Sequence, residues 1–176
     1  HYERFYRDVA RAVNELAPGR DLRLIINEWN TSLPVPRQHS MESALYAARL
    51  LNVFERSGDL VEMTAVSDLV NGWSGGIIQA SRHDTFVTPT YLVIRLYNET
   101  LGRDRLDARV VSPTFDSSIE GTGVPLLDAV ATRSADGGRL YVRAVNTSRD
   151  RALTVTVTVT GMGVGASGTM QTITGD

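Results

Sequence analysis

The chain contains no cysteine and no lysine. Without cysteine there are no disulfides, no thiolate nucleophile, no iron–sulfur cluster and no cysteine–zinc site. Without lysine, Schiff-base chemistry and a phosphate-loop lysine are excluded within this chain, and all 18 basic residues are arginine. Histidine is scarce: His1, His39 and His83 are far apart and show no metal-binding spacing, so no metal centre is expected. Neither sign of charge dominates. The 18 basic and 20 acidic residues leave a net charge of −2, which sets up no field to draw nucleic acid or an anionic membrane. No apolar run approaches the roughly 20 residues of a membrane span. The lack of cysteine favours a cytoplasmic setting.

What is present is enough for one ordinary domain or pieces of two: 176 residues, 42% of them hydrophobic. The chain starts at His1, inside an amphipathic pattern, and stops at Ile173-Thr174-Gly175-Asp176, inside what reads as β structure. We therefore expect a fragment of a longer protein. Tyr2, Phe5, Tyr6, Val9, Val13 and Leu16 fall at helical spacing on one face, and Pro18-Gly19 ends that helix. Leu22 to Asn27 is apolar at nearly every position, as in a strand buried on both faces. Ser40 is placed to cap a helix lined by Met41, Ala44, Leu45, Ala48, Leu51 and Phe54, with small residues at Ala44, Ala47 and Ala48 for close approach to a sheet. Val61 to Ser67 reads as a second strand, Asn71 to Gly76 as a Gly-rich loop, and Thr88-Pro89 as the start of a helix carrying Tyr91, Leu92, Leu96 and Leu101.

From about Leu106 the period changes to two. Val110-Val111, Leu126 to Thr132, Leu140 to Val145 and the alternating Leu153 to Thr160 are strand candidates, with Ala135-Asp136-Gly137-Gly138 as a hairpin turn. The strict alternation of Thr154 to Thr160 predicts one buried face and one wet face. The expected fold class is α/β with parallel strands over residues 1–104, then an antiparallel β-sandwich, or part of one, over residues 105–176. Two strands cannot close a barrel, so further strands are expected upstream.

Glu28 is the leading candidate for chemistry. It sits just past a strand, where α/β folds place their sites. Asn27, Trp29 and Asn30 beside it supply hydrogen-bonding groups and a flat apolar face, a mixture suited to a sugar. The plain alternative is a loop cap or an arginine partner. Trp73 offers either a second sugar platform or an ordinary packed ring. Glu62, within a strand candidate, and Asp68, at its end, are weaker: either could support the site as a partner behind the reacting groups, and each reads first as exposed or arginine-paired. His83 and Asp84 read as capping or surface residues, and the Tyr91, Leu92, Leu96 set as core packing rather than a cofactor box. No cofactor is expected.

Ile25-Ile26-Asn27-Glu28-Trp29-Asn30 resembles the α-L-arabinofuranosidases of glycoside hydrolase family 51. The likeness continues in order. Met41-Glu42-Ser43-Ala44-Leu45 to Phe54 is similar to the helix after the family's seventh strand, and Val66-Ser67-Asp68-Leu69-Val70-Asn71 to its eighth strand and following loop. Thr85 to Tyr91 resembles the start of its last barrel helix. Val124 to Ala131 and Leu140 to Asn146 resemble its C-terminal sandwich.

The resemblance implies a (β/α)8 TIM barrel whose C-terminal part is here, followed by an antiparallel β-sandwich. It implies a retaining glycosidase that releases terminal arabinofuranose from arabinose-containing oligo- and polysaccharides, without cofactor, and a homo-oligomer, trimer or hexamer. It makes Glu28 the nucleophile and places the acid/base upstream of His1; Asn27, Trp29, Asn30 and Trp73 remain the sugar-contact candidates read from the residues themselves. In this group of barrels an Asn-Glu pair usually marks the acid/base of the fourth strand. Here only one more strand and two helices precede the β region, which makes the Glu28 strand the seventh. The chain departs from the family pattern at Asn27, commonly aspartate, at Thr31-Ser32-Leu33, where an aromatic is frequent, and at Arg82-His83-Asp84, where some members carry a glutamine. The residues themselves leave two other classes open: another retaining barrel glycosidase, such as an endoglucanase or xylosidase, and a non-catalytic carbohydrate-binding or structural β module.

Overall fold

The computed structural model describes residues 2–175; His1 and Asp176 lie outside the described residues. Helix α1 spans Tyr2–Leu16, strand β1 Leu24–Trp29, helix α2 Met41–Arg56 and strand β2 Val61–Val66. The strands β3 (Ile78–Ala80) and β4 (Thr85–Val87) form an antiparallel hairpin before helix α3, Pro89–Glu99. The β region holds β5 (Asp104–Leu106), β6 (Thr114–Ser117), β7 (Gly121–Pro125), β8 (Leu127–Arg133) and β9 (Leu140–Asn146). β1 and β2 pair in parallel, β5-β8-β9 form a three-stranded antiparallel sheet, and β6-β7 a hairpin. The described residues are thus mixed helix and sheet, with small sheets rather than one closed barrel. No helix among them is long and apolar enough to cross a membrane.

Local chemistry accounts for the helix starts. Ser40 accepts the Glu42 N–H at 3.2 Å, and Thr88 accepts that of Tyr91 at 3.3 Å with Pro89 in the first helical turn. Ala44, Ala47 and Ala48 are all buried, which lets α2 lie close to Trp29, Val61, Val93 and Tyr97 in one core. Because the strand pair, α3 and the β region all pack around α2, Leu50, Asn52 and Val53 are buried as well.

Other expectations need correction. α1 buries Tyr6 against Phe54, whereas Phe5 and Leu16 are exposed. On α3 the inward residues are Thr90, Val93 and Tyr97; Leu92 points outward, and Leu101 lies past the end of the helix and is exposed. The buried phenol of Tyr97 is tolerated because it donates to Asn52 Oδ1 at 2.7 Å. β1 is not buried on both faces: Ile25 is 64% exposed, as is Met63 opposite it at 60%, since β1 has β2 alone as a neighbour among the described strands. Val110-Val111 lie outside the strands, and Leu153–Thr160 makes no ladder, with Val157 58% exposed. Alternation alone does not make a strand when no sheet edge receives it. The hairpin turn at Ala135–Gly138 does form, with Gly137 at φ 71° joining β8 to β9.

The α/β and β regions are joined by half-buried ion pairs, of which Arg143 is the buried member. Arg143 on β9 pairs with Glu55 of α2 at 2.8 Å, lies 4.9 Å above the Tyr97 ring, and donates to the Thr100 carbonyl. Arg56 reaches Asp128 of β8 at 2.7 Å, and Arg49 grips Glu120 at 2.6 and 2.7 Å. Burial pushes the Glu55 carboxyl above its ordinary range despite Arg143, whereas hydrogen bonds from Arg49 hold Glu120 below its own.

Two outcomes follow. Arg143→Met strands Glu55 and should cost about 3–5 kcal/mol in urea unfolding. For Glu120 the folded carboxyl is the stronger acid, so its contribution is present at neutral pH and is lost as pH falls through the carboxylate range. Glu120→Gln should therefore lower the urea midpoint at pH 7 and flatten its decline toward pH 3.

Candidate active site

Simple alternation along β1 would send Leu24, Ile26 and Glu28 to one face. Leu24 and Ile26 do pack on the core. The ladder then slips: Ile26 pairs with Thr64 and Trp29 with Val66, so Asn27 and Glu28 together stand opposite Ala65. One extra residue in a strand exchanges the faces of everything after it. Glu28 is thereby released from the core face and is exposed, while Trp29 takes the inward place. A matching slip in β2, between Val61 and Met63, keeps the two strands in step.

Trp29, expected to offer a flat face to a sugar, instead lies in the core at 9% exposure, edge-on to Phe54 with centroids 5.7 Å apart. Asn30 is likewise a structural clasp. Its Nδ2 donates to the carbonyls of Ser67 at 3.0 Å and Gly75 at 2.9 Å, and its Oδ1 accepts the Thr31 N–H at 2.8 Å. Asn27 is exposed beside Glu28. Trp73 is partly exposed in the Gly-rich loop, its ring folded over Gly75 so closely that a Cβ there would come within 2.2 Å of it. The structure therefore sets Glu28 and Asn27 together on the rim, brings Trp73's loop to them through Asn30, and removes Trp29 to the interior.

Two rim residues carry more than the sequence suggested. The Ser67 hydroxyl lies 3.0 Å from Glu28 Oε1 and 3.0 Å from Asp68 Oδ2. Asp68 meets this hydroxyl rather than an arginine, and its backbone is left-handed at φ 61°. Gly72 makes room for it: a Cβ there would fall 2.0 Å from Asp68 Oδ1. The available signal was positional, since Ser67 directly follows the strand parallel to β1. Glu62 is exposed on β2, and His83 and Asp84 sit in the β3–β4 turn, where both N–H groups donate to Ser81 Oγ.

Two cavities of about 220 Å³ each lie elsewhere. One is between α1 and the end of α2, bordered by Glu3, Tyr6, Arg56 and Leu60; the other is at the β3–β4 hairpin, bordered by Gln79, Ser81, Asp84 and Phe86. Neither opens on Glu28. The rim thus offers one exposed carboxylate held by a hydroxyl, on an open face.

Comparison with solved structures finds the same fold. The α-L-arabinofuranosidase from Thermotoga maritima, in an arabinose complex, superposes with a TM-score of 0.74 at 22% identity, over 86% of this chain and 34% of that one. The family 51 arabinofuranosidase from Xanthomonas axonopodis pv. citri gives 0.70 at 22% identity, over 83% and 31%. AbfB, a family 51 α-L-arabinofuranosidase from Bifidobacterium longum, gives 0.69 at 19%, over 84% and 34%. The chain spans about a third of the length of these enzymes. No curated protein sequence matches it. The family model for the α-L-arabinofuranosidase C-terminal domain matches residues 27–176, from Asn27 onward through both the rim and the β region. The chain belongs to the α-L-arabinofuranosidase C-terminal domain family.

Proposed function

We propose that these residues are the C-terminal part of a retaining α-L-arabinofuranosidase, acting on arabinose-containing oligo- and polysaccharides, with Glu28 as its nucleophile. The observation that carries the reading is the slip at Asn27–Glu28, which presents a carboxylate at the C-terminal end of a parallel strand pair. The exposed apolar face of Ile25 and Met63 on the same pair supports further strands closing over it, as a (β/α)8 barrel would supply.

The chemistry needs two carboxyls roughly 5–5.5 Å apart. A Glu28 oxygen attacks the anomeric carbon as the bond to the leaving oxygen breaks, and the second carboxyl gives its proton to that oxygen. Water then attacks the glycosyl ester while the second carboxyl takes a proton back, and Glu28 is freed. In this reading the second group comes from a barrel strand outside these 176 residues. The chain alone is then inactive, and the full-length protein is the one to assay. Asn27 and Trp73 serve as substrate contacts at the rim.

Hydrolysis of 4-nitrophenyl α-L-arabinofuranoside by the full-length protein should exceed that of the β-xyloside and β-glucoside. The opposite ranking would assign it to another barrel glycosidase. Glu28→Ala should lower kcat by roughly 10⁴-fold, about 5 kcal/mol in barrier height, and near-normal turnover would remove Glu28 from the mechanism. Trp73→Ala should raise KM more than it lowers kcat, the pattern of lost binding rather than lost chemistry.

A further inference from the structure

The strongest unexplained arrangement on the molecule is the hydroxyl between two carboxylates. We propose that Ser67 is a positioning residue for Glu28, with Asp68 as the group that holds its hydroxyl in place; this rests on the reading of Glu28 as nucleophile.

The backbone of Ser67 is fixed by the residues that flank Glu28. Its N–H donates to the Trp29 carbonyl at 2.9 Å, and its own carbonyl accepts from Asn30 Nδ2 at 3.0 Å. The hydroxyl consequently projects from a point whose height relative to Glu28 is set by β1 itself. A carboxylate on an exposed strand end rotates freely about its last bond. One hydrogen bond to Oε1 restricts that rotation and leaves Oε2 as the oxygen available for attack.

Asp68 is the second half of the device. The hydroxyl has one proton and two carboxylate acceptors at equal distance, so Asp68 competes with Glu28 for it while confining the oxygen between them. Its left-handed backbone and the side-chain space left by Gly72 are what bring Asp68 to this point. Strained, non-glycine backbone of this kind persists where surrounding contacts enforce it, and it concentrates at functional sites.

Ser67→Ala removes only the hydroxyl, since both backbone bonds remain. Ser67→Thr keeps the hydroxyl. Asp68→Asn keeps the shape, suits the left-handed backbone, and can donate to Ser67 Oγ, which frees the hydroxyl proton for Glu28.

The test is the pre-steady-state release of 4-nitrophenol from the aryl arabinofuranoside by the full-length protein, which reads formation of the glycosyl-enzyme directly. Ser67→Ala should slow this step by about 10- to 100-fold, with the half-saturating substrate concentration and the thermal midpoint close to those of the parent. Ser67→Thr should restore most of the rate, and Asp68→Asn should retain most of it. A parent-like rate in Ser67→Ala, alongside an inert Glu28→Ala, overturns the positioning role and leaves the nucleophile in place. A Thr variant no better than Ala overturns it too, because the hydroxyl would not be what matters. Asp68→Asn as inert as Glu28→Ala would overturn the proposal, because Asp68 would then act in the chemistry rather than hold the hydroxyl. Full activity in Glu28→Ala would remove the nucleophile reading first, and Ser67's role with it.

Discussion

A β-strand has two faces, and its side chains take them in turn. That constraint governs the rim of this molecule. β1 must bury Leu24, Ile26 and an aromatic ring against α2, yet present a carboxylate one residue earlier than the ring. Strict alternation forbids the combination. The extra residue at Asn27–Glu28 permits it, and the compensating extra residue in β2 keeps both strands attached to the same helix. Such slips are uncommon in parallel pairs. Here the slip lets one short segment serve the core and the surface at once.

The rim is then stabilised from a single side chain. Asn30 joins the end of β1 to the residue after β2 and to the Gly-rich loop, through groups that would otherwise be unpaired carbonyls. Behind it, Thr31 and Gln38 continue the polar network into buried ground, where the Thr31 hydroxyl donates to Ser43 at 2.9 Å and accepts from Gln38 at 2.8 Å. The opposite side of α2 is handled differently. There the contacts to the β region run through Arg49, Arg56 and Arg143, whose planar guanidinium groups suit paired carboxylate oxygens. A chain whose only cations are arginines has used them where a lysine would be a poor substitute.

How much of this was legible in the sequence depends on the range of the interaction. Ser40 and Thr88 capped the helices expected of them because a cap is decided within four residues. β8 and β9 were legible because their turn and their alternation lie side by side in the chain. Glu28 stood out by its neighbours and by its place after an apolar run. The inward face of α3 was misjudged because Leu92 and Leu96 outweigh Thr90 and Tyr97 on any hydropathy scale, and only the partner Asn52 explains why a phenol goes inside. Trp29 was misjudged because the slip that turns it inward is a property of two strands, not one. Ser67 escaped for the same reason, and Asp68 was ranked low: the arrangement they form exists only once β2 lies beside β1.

The clasp at Asn30 has one further consequence. Asn30-Thr31-Ser32 spells an acceptor sequence for N-linked glycans. Glycan attachment would take one of the two amide hydrogens, and both are already committed, one to each carbonyl that the side chain holds. In the folded protein this acceptor sequence is therefore closed to sugar on its own side chain, whatever compartment the protein occupies.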